Sequence, residues 1–200
     1  MDVIGIGEKY DAIASWWNAY HLDSDYGVAQ VERALGFTKH SQTALDVGCG
    51  SGGRFIRRLE ARGFDVTGVD ASAEMIRLAK GNHPKCDFVQ CDIQHWETDK
   101  TFDFILAWDC LFHLPLAAQK PVLSKLCRLL KKDGVLIHSF GDAIGDEHVD
   151  QWRGQEFRYS SIGISQNIEV MRENGLSLLH LELDQFPESH VYSIATKALK

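Results

Sequence analysis

The sequence lacks the residue patterns of a disulfide-bonded domain and of a catalytic zinc site. Its five cysteines are an odd number and form no C-x-x-C pair, which indicates reduced thiols and a cytoplasmic protein. Its nine histidines are scattered, and none pairs with another as H-x-x-x-H or H-E-x-x-H. We therefore expect no metal in this protein.

Long apolar runs and long basic runs are missing as well. No apolar segment is long enough to span a bilayer, and the first residues have neither the basic nor the apolar region of a secretion signal. The net charge is −7, with 21 Lys and Arg against 28 Asp and Glu. Phosphate backbones and anionic membranes repel such a chain, so we expect neither nucleic acid nor a membrane as partner.

The chain has enough apolar residues for a sizeable core. Hydrophobic residues make up 44% and charged residues 24% of the 200 residues, which is ordinary for one globular domain. We interpret residues 1–200 as a single domain with four parts. The parts are a helical cap (1–40), a core (41–140), a loop segment (141–165), and a final helix with a β-hairpin (166–200).

A glycine-rich turn follows the first predicted strand. Residues 43–47 are typical of a short buried strand, and residues 52–62 place apolar side chains at helical spacing. Between them, Gly48, Gly50 and Gly53 fit G-x-G-x-x-G, the fingerprint of dinucleotide binding. The same stretch, headed by Asp46, also fits D-x-G-x-G-x-G. That pattern resembles the first motif of the class I S-adenosylmethionine (SAM)-dependent methyltransferases.

Charge favours the second pattern. A pyrophosphate binds best at a helix N-terminus with no carboxylate beside it, whereas Asp46 lies two residues before the first glycine. SAM has no phosphate and carries a sulfonium and an ammonium group, so a nearby acid suits it. A structural interpretation is also open, in which the glycines only close the corner between a strand and a helix.

Strands and helices alternate along the chain. The predicted strands are 43–47, 64–70, 86–90, 101–107, 135–140, 176–183 and 190–196. The predicted helices are 8–20, 28–35, 52–62, 73–80, 115–130 and 165–174, with Ser72 capping the fourth and Gly81 ending it. Residues 141–163 show no clear period and are expected to form an ordered loop. The short connection 184–189 makes the last two strands antiparallel.

Acids lie at or just past the C-terminal ends of four consecutive strands, at the edge where open α/β sheets bind ligands. They are Asp46, Asp70, Asp92 and Asp109. An acid after the second strand can accept hydrogen bonds from two ribose hydroxyls, and an acid after the third can accept one from the exocyclic amine of adenine. We assign these roles to Asp70 and Asp92, with the N–H group of Ile93 facing the ring.

Five segments resemble successive motifs of small-molecule methyltransferases of the ubiquinone-biosynthesis and tellurite-resistance type. They are residues 44–53, 66–72, 91–93, 102–109 and 129–138. The resemblance implies a Rossmann-like three-layer α/β sandwich with a seven-stranded, mostly parallel sheet of order 3-2-1-4-5-7-6 and an antiparallel C-terminal strand. It also implies SAM as cofactor, methyl transfer to a small-molecule acceptor, and a monomer or homodimer.

The residues expected to contact SAM come from the glycine turn, the strand ends and the aromatic first helix. They are Asp46, Gly48, Gly50, Gly52, Asp70, Ala71, Met75, Asp92, Ile93, Ala107, Tyr10 and Trp17. A base is needed only if the acceptor must lose a proton. His113 and Asp109 are the catalytic candidates, because they follow the fourth strand, although His113 is as well suited to orienting the next helix. Weaker candidates are Tyr159, His148 and His190.

Two other functions stay open: an NAD(P)-dependent oxidoreductase, which needs the same glycines, and a SAM-binding module without catalysis. Residues 108–111 lack the (D/N/S)-P-P-(Y/F) motif of amino-directed DNA methyltransferases. The aromatic stretches 8–20 and 141–160 lie outside the predicted βα units. We expect them to form a lid over the substrate, because methyl transfer benefits from the exclusion of water.

Overall fold

The elements alternate between strand and helix through most of the chain. The structure is a computed structural model and describes residues 3–197. The strands are β1 Thr43–Val47, β2 Asp65–Asp70, β3 Asp87–Gln90, β4 Phe102–Ala107, β5 Leu130–Gly141, β6 Ile144–Trp152, β7 Gln155–Ile162, β8 Leu176–Leu183 and β9 His190–Lys197. The helices are α1 Val3–His21, α2 Val28–Leu35, α3 Arg54–Ala61, α4 Ala73–Asn82, α5 Leu116–Leu129 and α6 Gly163–Glu173.

A seven-stranded sheet with the order β3-β2-β1-β4-β5-β9-β8 lies at the centre. Strands β1 to β5 run parallel, whereas β9 runs antiparallel to both β5 and β8. The predicted mostly parallel sheet with a reversed strand is therefore confirmed. The last two strands have higher numbers than predicted only because β6 and β7 form a separate two-stranded sheet.

Helices cover both faces of the sheet, which gives the predicted three layers. One apolar layer joins α2 and α3 to the sheet through Val31, Leu35, Ile56 and Leu59. The other contains residues of α5 and α6. Every residue of β4 is buried, as expected for a central parallel strand that is covered on both faces.

Most element boundaries agree with the local signals. Ser72 caps α4 as predicted, since its hydroxyl accepts the N–H of Met75 at 3.0 Å. The expected end of α4 at Gly81 is wrong, because the helix continues to Asn82 and His83 follows as its C-terminal cap. Strand β5 starts earlier than predicted, at Leu130, which pairs with Phe102 before a shift in register.

The segment predicted to be an ordered loop, 141–163, is instead mainly a β-hairpin made of β6 and β7. Arg153 and Gly154 form its turn with φ angles of 50° and 73°, the left-handed conformation that two-residue hairpin turns need. The sequence shows no alternation here because β6 is exposed along nearly its whole length. A strand with no buried face has no reason to alternate apolar and polar residues. No helix within residues 3–197 is long and apolar enough to cross a membrane.

Candidate functional site

A cavity of about 750 Å³, including its open mouth, lies at the carboxyl ends of β1, β2 and β4. We call it the inner cavity. Most of the predicted cofactor residues line it, namely Tyr10, Trp17, Gly48, Gly50, Asp70, Ala71, Met75 and Ile93. The two catalytic candidates, Asp109 and His113, line it as well. Strand topology brings these residues together, because parallel strands end at the same edge of the sheet.

The glycine turn, residues 48–53, forms the floor beside β1. Gly48 and Gly50 have φ angles of 67° and 54°, a conformation that glycine adopts without strain. A Cβ atom on Gly48 would lie 2.4 Å from the Cβ of Cys110, and one on Gly50 would lie 3.2 Å from the indole nitrogen of Trp17. The turn therefore depends on glycine for close packing as well as for its backbone conformation.

Asp70 is the acid at the end of β2, and its carboxylate is held by two backbone groups. Oδ2 accepts the N–H of Gly50 at 2.8 Å, and Oδ1 accepts the N–H of Ser72 at 2.9 Å. Burial raises the pKa of Asp70, although these hydrogen bonds oppose the shift. A carboxylate has about four acceptor positions. The hydrogen bonds from Gly50 and Ser72 do not use all of them, and the pair of ribose hydroxyls that the sequence predicts can bind at those that remain.

The loop after β3 contributes Cys91 and Ile93 to the cavity, but not Asp92. The Asp92 carboxylate accepts the backbone N–H and the side-chain amide of Gln94, at 2.8 and 3.0 Å. From the other side, the Nζ atom of Lys125 donates to the carbonyls of Ile93, Gln94 and Trp96 at 2.7 to 3.1 Å. In this structure Asp92 thus shapes the loop that presents Ile93.

Three further predicted cofactor residues do not line the inner cavity. Asp46 is buried within β1, and burial raises its pKa to about 8 against the opposing charge of Arg54. Gly52 faces His83, whose Cδ2 atom would lie 2.8 Å from an added Cβ. Ala107 is fully buried at the end of β4, and the next residue, Trp108, lines the cavity instead.

His113 lies in a single 3₁₀ turn, Leu111–His113, and both ring nitrogens are engaged. Nδ1 donates to the carbonyl of Arg158 at 2.9 Å, so Nε2 carries the lone pair that accepts the hydroxyl of Tyr10, also at 2.9 Å. Burial lowers the pKa of His113 to about 4. The imidazole is therefore neutral near pH 7, and it holds Tyr10 in place.

Asp109 joins the inner cavity to a buried polar network. It is one of the few non-glycine residues with a positive φ, 52°. Its Oδ1 accepts from Ser139 Oγ and His190 Nε2, both at 2.9 Å, and its Oδ2 accepts the hydroxyl of Tyr26 at 2.8 Å. Burial alone would raise the pKa of Asp109, but these hydrogen bonds hold it below its usual value.

His190 lies between two carboxylates. Its Nε2 contacts Asp109, and its Nδ1 contacts Oδ1 of Asp184 at 2.6 Å. Each nitrogen must donate to a carboxylate, so the ring is an imidazolium. Burial would lower the pKa of His190, but the two carboxylates outweigh it and raise the pKa.

A second cavity, the outer cavity, opens on the other side of Asp109. It occupies about 940 Å³ with its mouth, and Asp109 lines both cavities. Its walls come from the end of β5, the β6–β7 hairpin and the connection before β9, and include Phe112, Tyr159 and His190. Acids also line it, among them Asp146 and Glu188. The weaker candidates His148 and Tyr159 stack on each other in its wall, with ring centroids 5.6 Å apart.

Residues 44–134 match the family model described as a methyltransferase domain. A ubiquinone biosynthesis O-methyltransferase of Rickettsia canadensis is 29% identical over 149 residues, which cover 66% of this chain and 61% of that protein. A putative methyltransferase, 235L, of invertebrate iridescent virus 6 is 28% identical over 162 residues, covering 74% and 60% of the two chains. The predicted resemblance to SAM-dependent methyltransferases is confirmed. The chain spans about three fifths of the length of these curated relatives.

Solved structures show that the methyltransferase fold extends over nearly the whole chain. The structure of DhpI in complex with SAH superposes with a TM-score of 0.70 at 21% identity, and the match covers 98% of this chain and 97% of DhpI. A TehB-like SAM-dependent methyltransferase of Corynebacterium glutamicum gives 0.68 at 24% identity, with 96% and 98% coverage. The family match contains β1 from its second residue, the glycine turn and β2 to β4, but not α1, the β6–β7 hairpin or His190. It therefore ends before most of the outer cavity.

Sequence reasoning missed several residues of the inner cavity. Ile6 and Gly7 line it because α1 starts at Val3 and crosses the end of β2. A Cβ on Gly7 would lie 2.5 Å from the carbonyl oxygen of Ala71, so the glycine allows a close packing contact here. The predicted helix began at residue 8 and left Gly7 out. Cys91 and Cys110 also line the cavity. The motif segment 91–93 contains Cys91, but neither cysteine was assigned a role.

Proposed function

We propose that this protein is a SAM-dependent methyltransferase that binds SAM in the inner cavity and a small-molecule acceptor in the outer cavity. The proposal is carried by one observation: the backbone N–H groups of the glycine turn are already hydrogen-bonded within the protein. The N–H groups of Gly48, Gly50, Gly52 and Gly53 all donate within the protein, to Val69 O, Asp70 Oδ2, Cys49 O and His83 Nε2. A pyrophosphate needs such groups free, and it is repelled by a carboxylate in the turn.

The residues of the inner cavity fit SAM in three respects. The bonds from Gly50 and Ser72 leave the Asp70 carboxylate with acceptor capacity for the ribose hydroxyls. Apolar side chains such as Met75, Ile93 and Leu114 line the cavity and can pack against an adenine ring. The carboxylates of Asp70 and Asp109 line it, and no lysine or arginine among residues 3–197 does, which suits a cationic ligand.

When bound, SAM supplies an electrophilic methyl group on a sulfonium. The protein's own contribution is to hold the acceptor, orient it towards the inner cavity and exclude water. Strong base catalysis is not expected, since His113 has a lowered pKa and Asp109 is a weak base held by three donors. The geometry favours acceptors that already have a nucleophilic lone pair.

Asp109 is the residue best placed to contact the acceptor, because it lines both cavities. Two of its donors occupy Oδ1 and one occupies Oδ2, so Oδ2 retains an acceptor position. Acids line the outer cavity and no strong base is expected there, so neutral amines, which have a nucleophilic lone pair, come first in a screen, before phenols, thiols and oxyanions.

Calorimetric titration with SAM, its demethylated product S-adenosylhomocysteine (SAH) and NADH tests the proposal. We expect SAM and SAH to bind with dissociation constants at or below the micromolar range, about −8 kcal/mol. Tight binding of NADH without binding of SAM would support the oxidoreductase instead. SAM binding without methyl transfer to any acceptor class would favour a binding module.

A further inference from the structure

His83 lies directly after α4, and its ring is packed against the glycine turn. The side chain is 5% exposed. Its Nε2 accepts the N–H of Gly53 at 3.1 Å, and its Nδ1 lies 2.7 Å from Oε2 of Glu60. Glu60 belongs to α3, the helix that starts at the glycine turn. The turn, α3 and the end of α4 are therefore joined through one imidazole.

These contacts assign the tautomer of His83. A backbone N–H can only donate, so Nε2 must carry a lone pair where it meets Gly53. The ring proton is then on Nδ1 and donates to the Glu60 carboxylate, which selects this tautomer. The other tautomer, with the proton on Nε2, would bring two N–H groups together. Glu60 thus orients His83 as an acceptor.

The neighbouring residue supports the same turn. The side-chain amide of Asn82 donates to the carbonyl of Ser51 at 2.9 Å and to Asn18 of α1 at 3.0 Å. The His83 ring also packs closely against the turn, since an added Cβ on Gly52 would lie 2.8 Å from the ring. The half of the turn that does not line the inner cavity, Gly52 and Gly53, is therefore fixed to α4. The other half, Gly48 and Gly50, lines it.

We propose that His83, oriented by Glu60, is a positioning residue that sets the glycine turn in its ligand-binding conformation. Buried hydrogen bonds between distant elements order the groups that they join, and the mutual position of Gly50 and Asp70 depends on the path of this turn. The role in binding rests on the proposed function, whereas the bond to Gly53 does not. His83 acts through the backbone and does not line the inner cavity.

The experiment compares His83→Leu, His83→Gln and the control Lys80→Ala by calorimetry with SAH. Leucine removes the acceptor, whereas the glutamine oxygen can take the place of Nε2. Lys80 lies on the exposed part of the last turn of α4. We expect His83→Leu to weaken SAH binding about tenfold or more, and His83→Gln and Lys80→Ala to stay within about threefold of the wild type. A residue that is only structural would show no rescue by glutamine.

Several outcomes would overturn the proposal. These are normal SAH binding by folded His83→Leu, or an equal loss in the leucine and glutamine variants. If His83→Leu does not fold, Glu60→Ala decides, since Glu60 is one-third exposed and normal binding by that variant would contradict its orienting role. If the wild type binds neither SAM nor SAH, the proposed function fails. The amide resonance of Gly53 then tests His83 alone, because it should shift in His83→Leu and Glu60→Ala and stay near its wild-type position in His83→Gln.

Discussion

The backbone N–H of Gly50 donates to Oδ2 of Asp70 at 2.8 Å. The glycine turn after β1 and the acid after β2 are therefore one unit, although both sequence templates treat them as separate motifs. This bond gives Asp70 two roles, to close the turn and to offer its remaining acceptor positions to a ligand. Substitutions that differ in charge and in acceptor capacity can separate the two.

For Asp70→Ala we expect SAM binding to weaken by about 2–3 kcal/mol without unfolding, since charged hydrogen bonds to two hydroxyls are lost. Asp70→Asn keeps one acceptor oxygen and serves as the matched variant, with a smaller loss. Calorimetry gives the affinities, and thermal unfolding reports on the fold. An unchanged dissociation constant in a folded alanine variant would refute the ribose assignment.

Gly50→Val should abolish measurable SAM binding while the domain still unfolds cooperatively. Its Cβ would meet the Trp17 indole at 3.2 Å, and valine is strained at a φ of 54°. Gly63→Val is the control, because Gly63 has a φ of 83° and nothing within 4 Å of an added Cβ. The Gly63→Val variant has the backbone strain, about 1–2 kcal/mol, but makes no contact like the one that Gly50→Val makes with Trp17. If Gly50→Val binds SAM as well as Gly63→Val does, close approach of the ligand at Gly50 is refuted.

Tyr10→Phe and His113→Gln should reduce methyl transfer by similar factors, and the double variant should lose little more than either. The reason is that the two side chains share one hydrogen bond of 2.9 Å, and coupled residues are not additive. The measurement is kcat/KM for the two single variants and the double variant, once an acceptor is known. A general base would behave differently, with a loss of about 100-fold or more in His113→Gln alone.

The stability conferred by His190 should depend on pH. Its folded-state pKa is raised by Asp109 and Asp184, whereas the unfolded value is about 6.5. The stabilisation is therefore fully present below pH 6.5 and is lost as the pH rises through the folded-state pKa, by about 1.4 kcal/mol for each unit of difference. Denaturant unfolding of wild type and His190→Gln from pH 5.5 to 9 measures it. The difference in unfolding free energy between wild type and His190→Gln should shrink with rising pH. For the control His40→Gln, at an exposed position, the difference from wild type should stay small throughout.

Helix α1 and the β6–β7 hairpin should behave as a lid. They pack together through Trp16, Trp17 and Trp152, and the guanidinium of Arg153 lies 3.3 Å from the ring centroid of Trp16. We expect fast amide exchange of residues 8–20 and 141–160 in the free protein and slow exchange with SAM or SAH bound. Strand β4 is the internal reference, with the same protection in both states. Equal protection of the lid segments with and without ligand would mean ordinary core packing.

Local signals predicted the parts of the site that lie within one βα unit. The strand 43–47 and the cap of α4 at Ser72 were predicted correctly, because a buried strand and an N-cap are decided by neighbouring residues. The hairpin 144–162 was missed, since the exposed strand β6 carries no apolar alternation. The roles predicted for Asp46 and Asp92 assumed that a side chain at a strand end faces the ligand, and the role predicted for Gly52 assumed that the whole glycine turn does. The structure places these three away from the inner cavity.

By itself, the sequence determined the alternation of strands and helices, the glycine turn and the acids at the sheet edge, because each depends on short-range spacing. Only the tertiary structure decided which side chains meet. His190 contacts Asp109 from 81 residues away, and His83 contacts Gly53 from 30 residues away. Such pairs carry no periodic signal, since they depend on where loops and helix ends come to lie after the sheet has formed. The physical reason is that backbone geometry is set locally, whereas buried polar groups are satisfied by whichever distant partner the packing brings within hydrogen-bond distance.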